Sequence, residues 1–176
     1  MAHKNRHHEN EFPKAWCFFL KDELTKEFHG YTEGEIICLP PVTRNSIIGK
    51  MAAYLPSKPE GITIGGVVHL TKHYNKVRNL KHAESGAKAA KIYEFGMFAH
   101  ETFHAVDQEH TADFPLLKGS GKWKWLIKYI ARLIITPNAY KHPMEKPAYA
   151  FQKYMKLMAA SLEDESGEKT NQPLSP

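Results

Sequence analysis

A chain of 176 residues, 42% hydrophobic and 24% charged, has the length and balance of one folded domain that can bury a core without staples, which excludes wholesale disorder and a disulfide scaffold. The formal charge of +5 is modest and spread along the chain, so it permits an acidic partner without predicting one. No nucleic-acid-binding module is legible, and no run of about 18 apolar residues is present to span a membrane.

Residues 1–11 predict a flexible, polar tail, residues 12–162 a single domain and residues 163–176 a disordered tail. The first stretch holds no apolar core of a secretory signal, which points to a cytoplasmic protein or to export by a route without a signal peptide. Its His3, His7 and His8 read as solvated residues rather than a metal site. Cys17 and Cys38 have neither CxxC nor zinc-ribbon spacing and read as free thiols.

In chain order, the first periodic stretch runs from Pro13 to His29. Trp16, Phe19, Leu20, Leu24 and Phe28 recur near helical spacing and Gly30 supplies a stop, so a helix packed on the domain is expected. Ile36 to Leu39 is a short apolar run closed by Pro40 and Pro41, as in a buried strand end or extended segment. Ser46 to Tyr54 suits a short helix ended by Pro56 and Pro59. From Gly61 to Thr71 two β-branched runs flank Gly65-Gly66, a pair able to take the positive φ of a tight turn, and a β-hairpin is expected. His69, in its second arm, reads as a partly buried or cross-strand histidine. The polar, basic segment from Lys72 to Lys88 predicts a loop that lines or covers a site, with His73 and His82 in solvent.

From Ala89 to His110 the pattern turns strongly helical, with Ile92, Phe95, Ala99, Phe103 and Val106 on one stripe. Inside it lies His100-Glu101-Thr102-Phe103-His104, an HExxH pentad. Two histidines four residues apart sit one above the other on one helical face, so both imidazoles can reach a single metal ion. Zinc is the metal this suggests, because it takes neutral imidazole nitrogen and its catalytic sites use three protein ligands with the fourth position left to water. Glu101 is then the base that takes a proton from that water. Tyr93, Gly96, Met97 and Asp107 share the histidine face. Gly96, one turn before His100, removes bulk so that another segment can approach, and Asp107 is either an acceptor for an imidazole or a solvent-facing carboxylate. With 11 histidines in the chain, a pentad can arise by accident, and its surroundings must decide.

Lys122 to Ile135 predicts a core-packing helix with a solvated basic face, and Thr136 to Tyr140 a connector. A last helix opens at Lys141 and runs to about Leu162, with Phe151, Tyr154, Met155, Met158 and Leu162 on its stripe and Pro143 and Glu145 in its first turn. A third metal ligand has to come from outside the pentad. His110 and Asp113 follow it too closely for a compact site, which leaves His142 and Glu145.

The order of these parts resembles the gluzincin branch of zincin metallopeptidases, in which a helix carrying HExxH is followed by a helix carrying a glutamate ligand. ITIGGVVHL ahead of the pentad is similar to that group's hairpin of the form T-x-G-x-x-I-x-L. MFAHETFHAVDQ follows it, and then HPMEKPAYAFQ, which is similar to the Asn-Pro-x-Glu-x-Glu-Ala pattern of small bacterial zincins, including domains found with contractile injection and type VI secretion systems. The likeness covers roughly Gly61 to Tyr154. It implies an α+β, zincin-like fold, mainly helical, with a small β-hairpin or sheet beside the active-site helix. It also implies Zn2+ held by His100, His104 and Glu145, with Glu101 as catalytic base of a metallopeptidase that hydrolyses amide bonds in a peptide or protein substrate.

The chain departs from the pattern at three positions: Pro147 stands for the second glutamate, His142 for the asparagine, and Tyr149 for the acid that often supports a ligand histidine. A phenol can still donate or accept a hydrogen bond. His142 therefore competes with Glu145 as ligand, and Tyr149, Tyr140 and His142 are candidate oxyanion donors by position. The alternative functions are a secreted effector or toxin of the same fold, cutting cell-wall or host peptide bonds and met by a secretion-system or immunity partner, and a zincin-like module that binds without catalysis. Glu101 favours catalysis, since a binding module has no chemical need of a carboxylate there.

Overall fold

The computed structural model describes residues 12–28, 39–55, 57–110, 129 and 141–169. Its elements run α1 (Lys14–Glu27), β1 (Val42–Thr43), α2 (Ile47–Ala52), β2 (Gly61–Ile64), β3 (Val67–Leu70), α3 (Lys72–His110) and α4 (Glu145–Lys169). Among the described residues this is a mainly helical α+β chain with one three-stranded sheet in the order β1-β3-β2. Cys38, Asp113, Tyr140, residues 1–11, residues 170–176 and the helix expected over Lys122 to Ile135, apart from Tyr129, lie outside the described residues.

Pro13 starts α1 because its carbonyl accepts from the amides of Trp16 and Cys17, while its own lack of N–H costs nothing at a helix start. The helix buries Trp16, Cys17, Leu20 and Leu24. Phe12, Trp16, Phe95 and Phe98 form an aromatic cluster with ring centroids 5.0 to 6.5 Å apart, which docks α1 on α3. On the other flank Phe103 of α3 packs against Phe28 at 5.0 Å and Phe151 of α4 at 5.4 Å. The apolar stripe of α3 thus faces α1 and α4, and the histidine face beside it turns toward β2 and the first turns of α4.

The hairpin forms as its sequence demands. Gly65 and Gly66 take φ of 63° and 75°, and Gly61 to Ile64 pair with Leu70 to Val67 in antiparallel register. β1 adds to β3 in parallel, pairing Val42 with Val68 and Thr43 with His69. His69 is buried between them, its Nδ1 2.9 Å from Thr43 Oγ1 and 3.0 Å from Ser46 Oγ; burial lowers its pKa and favours the neutral ring, whose one Nδ1 lone pair can accept from a hydroxyl. Ser46 caps α2 by accepting from the Gly49 amide at 2.9 Å. α2 lies so close to β3 that a Cβ on Gly49 would stand 2.4 Å from the Leu70 carbonyl oxygen. Gly49→Ala is expected to destabilise the fold by about 2 kcal/mol, read as a melting temperature lower by about 6 °C; an unchanged melt would show that α2 can lift away freely.

Three expectations need correction. The segment from Lys72 to Lys88, expected as a loop, is helical up to Gly86, where a φ of 81° breaks α3. This part carries no continuous apolar stripe and is held by polar ties instead. Thr71 Oγ1 accepts from the His73 amide at 3.1 Å as a cap, Tyr74 donates its hydroxyl to Glu94, and Arg78 pairs with Glu94 at 2.7 Å. His73, expected in solvent, is half-buried with Nε2 3.0 Å from the Ala53 carbonyl, joining the end of α2 to the start of α3. Finally, the last helix begins at Glu145 rather than Lys141 and continues past Leu162 to Lys169. Starting there puts Pro147 in the first turn, where an amide would have no partner in the helix, and an ion pair of 2.6 Å between Lys88 and Asp164 fastens the far end to α3.

Candidate metal centre

His100 and His104 project from adjacent turns of α3 below the Gly86 break, and Glu145 is the first residue of α4. The Nε2 atoms of the two histidines are 3.2 Å apart, and Glu145 Oε2 lies 3.1 Å from the first and 3.4 Å from the second. All three residues are buried and form a group able to hold a metal ion. Zinc bonds of about 2.0–2.1 Å at tetrahedral angles need donor atoms about 3.3–3.4 Å apart, so these three atoms have the spacing of one tetrahedral face. The chemistry of the set agrees. Two imidazole nitrogens facing each other and one carboxylate oxygen are all lone-pair donors unless a proton sits among them, and a cation at their centre satisfies all three at once.

The carboxylate is held from both sides. Tyr129 donates its hydroxyl to Glu145 Oε1 at 2.7 Å, leaving Oε2 to the histidines. Burial opposes ionisation of Glu145, but the hydrogen bonds from His100 and His104 outweigh it and hold its carboxyl well below the usual carboxylate range. Burial and the neighbouring Glu145 charge push the Tyr129 hydroxyl far above the usual phenol range, so it remains a donor at any ordinary pH. Tyr129→Phe is expected to weaken zinc binding by about tenfold in a competition titration against a chromophoric chelator; native affinity in that variant would assign Tyr129 a packing role only.

Glu101 lies one residue along α3 from His100, buried, with Oε2 2.7 Å from Thr63 Oγ1. The same hydroxyl lies 3.0 Å from the Glu101 carbonyl oxygen, so it straddles side chain and main chain. Gly61 clears the opposite side: a Cβ there would come within 3.0 Å of Glu101 Oε1. Gln108 donates from Nε2 to the Thr63 carbonyl at 2.8 Å and fixes β2 against α3. Burial raises the pKa of Glu101, with the His100 side chain as the main opposing influence.

The remaining sequence candidates divide. His142 is fully buried and does not join the ligand group. Its Nδ1 accepts from the Met144 amide at 3.2 Å, its Nε2 faces the Tyr129 carbonyl at 3.3 Å, and its own carbonyl takes the amides of Glu145 and Lys146. It builds the start of α4 and so aims Glu145. Tyr149 lays its ring against His100, centroids 4.6 Å apart. Asp107 lies one turn past His104, half-buried and outside the ligand group. Gly96 does admit another segment, the side chain of Lys156 from α4. Thr63 and Tyr129 were not singled out by sequence. Hydropathy alternation in the hairpin points Ile62 and Ile64 inward, whereas the strand buries Gly61 and Thr63 instead, and nothing local marks Tyr129.

These residues open onto a cavity of about 480 Å³ walled by β2, the histidine face of α3 and the first turns of α4. Compared with protein-family models, with curated proteins and with solved structures, the chain matches none.

Proposed function

We propose that the chain is a zinc-dependent hydrolase of amide bonds, most simply a metallopeptidase of the zincin type. The observation that supports this reading is the meeting of two chemistries in one buried place: three donor atoms at tetrahedral spacing, and a separate carboxylate, Glu101, that is not part of that group. A zinc ion held by His100, His104 and Glu145 supplies Lewis acidity toward a carbonyl and toward water.

Proton handling falls to Glu101. With Oε2 tied to Thr63, Oε1 is the oxygen that takes a proton from water as the water oxygen bonds to the amide carbon. The same proton passes to the leaving nitrogen as the C–N bond breaks, and the carboxylate is regenerated. Burial, by raising the Glu101 pKa, makes it a stronger base than a surface carboxylate. Among the described residues β2 is an edge strand of the three-stranded sheet and lines the cavity, so a peptide laid along it runs past Glu101. Tyr149, on the cavity wall against His100, is the phenol α4 offers to negative charge developing on the carbonyl oxygen.

The test is elemental analysis of the purified chain together with hydrolysis of a mixed peptide library and of peptidoglycan. One zinc per chain, with hydrolysis removed by a chelator and restored by zinc, is the expected result. Zinc bound without hydrolysis of either substrate class would turn the reading into that of a metal-binding module, and absence of zinc would end it.

A further inference from the structure

The end of the cavity away from the metal group has a different character. Lys156 of α4 crosses α3 over Gly96, where a Cβ would stand 2.3 Å from its Cε, so the crossing requires glycine. Its Nζ ends 4.3 Å from the centroid of the Tyr93 ring. Lys58 and Lys153 line the same cavity. Lys156 is half-buried, and among the described residues none of these three lysines forms an ion pair.

Glu60 is the acidic side chain at this end. Its Oε1 accepts the Tyr93 hydroxyl at 2.5 Å and its Oε2 is buried without a hydrogen-bond partner. It attracts Lys156, and as one carboxylate it leaves the cavity's three lysines, of which Lys58 and Lys153 are exposed, with a net positive charge. A half-buried ammonium on an aromatic face, with one carboxylate in its neighbourhood and two further lysines on the same cavity, can take a second anionic partner. The nearby Glu60 charge suits a monoanion better than a dianion.

We propose that this end of the cavity is a carboxylate-binding subsite in which Lys156 is the specificity-determining residue, selecting peptides with a carboxylate about three residues from the bond that is cut. The word "cut" rests on the hydrolase reading above; the subsite itself does not. The spacing follows from the helix. Tyr93 and His100 lie two turns apart on one face of α3, about 10 Å along its axis, and an extended peptide advances about 3.3 Å per residue. The carboxylate can be an Asp or Glu side chain or the C-terminus of the peptide.

Binding is measured by fluorescence anisotropy in zinc-loaded Glu101→Gln protein, so that nothing is consumed. Three labelled peptides of equal length are compared: one with Glu three residues from its centre and an amidated end, one with Gln in that place and an amidated end, and one with Gln and a free C-terminal carboxylate. At least one carboxylate peptide is expected to bind about tenfold more tightly than the neutral one, and the tighter of the two identifies the source. Adding Lys156→Met, which keeps the apolar stem over Gly96 and Tyr93, should abolish the preference. In the protein that retains Lys156, raising salt from low to high should erode it as well, a readout independent of how the variant folds. Equal binding of all three peptides, a preference that survives Lys156→Met, or no peptide binding overturns the proposal. A carboxylate preference in a chain whose native form hydrolyses nothing upholds the subsite and sinks the hydrolase reading; hydrolysis without the preference does the reverse.

Discussion

Glu101→Gln is expected to lower kcat by about a thousandfold while the chain still binds one zinc. The amide has the shape of the carboxylate, and its carbonyl oxygen can still accept from Thr63 Oγ1, now 2.7 Å from Glu101 Oε2, so the position of the side chain is kept. What is lost is the proton acceptor. The three ligand atoms are untouched, which predicts unchanged metal content by elemental analysis. Stability gives a second, independent readout. The folded-state pKa of Glu101 is raised by burial, so in the metal-free chain its ionisation weakens the fold at every pH above the usual carboxylate range. Glutamine removes that cost, and the metal-free variant should melt no lower than the native chain at pH 7. A variant that hydrolyses peptides at the native rate would exclude Glu101 as the base, and one that loses zinc as well would give it a role in holding the ligands.

The parts of this arrangement differ in how far the sequence announces them, and the difference is physical. The hairpin is legible because β-branched runs flank a Gly-Gly pair suited to φ of 63° and 75°. The pentad is legible because ligands four residues apart need only one helix to converge. Glu145 is not legible in this way. It meets the histidines only through packing of α4 on α3, and His142, three residues earlier, satisfies the same spacing argument. The choice between them is made by partners: the nitrogens of His142 face the Met144 amide and the Tyr129 carbonyl, while Glu145 Oε2 faces two imidazoles. Long-range polar ties such as Thr63 to Glu101 or Tyr129 to Glu145 leave no periodic trace. The same holds for the first part of α3. Its helix depends on Tyr74 and Arg78 meeting Glu94, and a periodicity argument built on apolar stripes reads such a segment as a loop.

Removal of the metal is expected to lower the melting temperature by about 10 °C relative to the zinc-saturated chain. At free zinc a thousandfold above Kd, binding to the folded state contributes about 4 kcal/mol, and in a chain of this length each kcal/mol moves the melt by about 2–4 °C. The structural reason is that a bound ion would join α3 to α4 at the start of the last helix, where Glu145 and the histidines otherwise bring three lone-pair donors within 3.4 Å of one another. Glu145→Gln should reduce the zinc-dependent shift to less than about half, because a neutral amide oxygen is a poorer ligand for a dication than a carboxylate. Acid tests the same contact in the metal-free chain. The folded-state pKa of Glu145 is depressed, so its contribution is present above the usual carboxylate range and is lost as pH falls through that range toward the depressed folded value. Native metal-free protein should therefore lose stability below about pH 4.5 more steeply than Glu145→Gln, which carries no such group. Melting curves with and without chelator at pH 7, and a pH series on both metal-free proteins, measure these quantities. Identical melts with and without chelator would mean that the folded chain holds no ion at these three residues, and superimposable acid profiles would mean that the imidazoles do not hold the Glu145 charge.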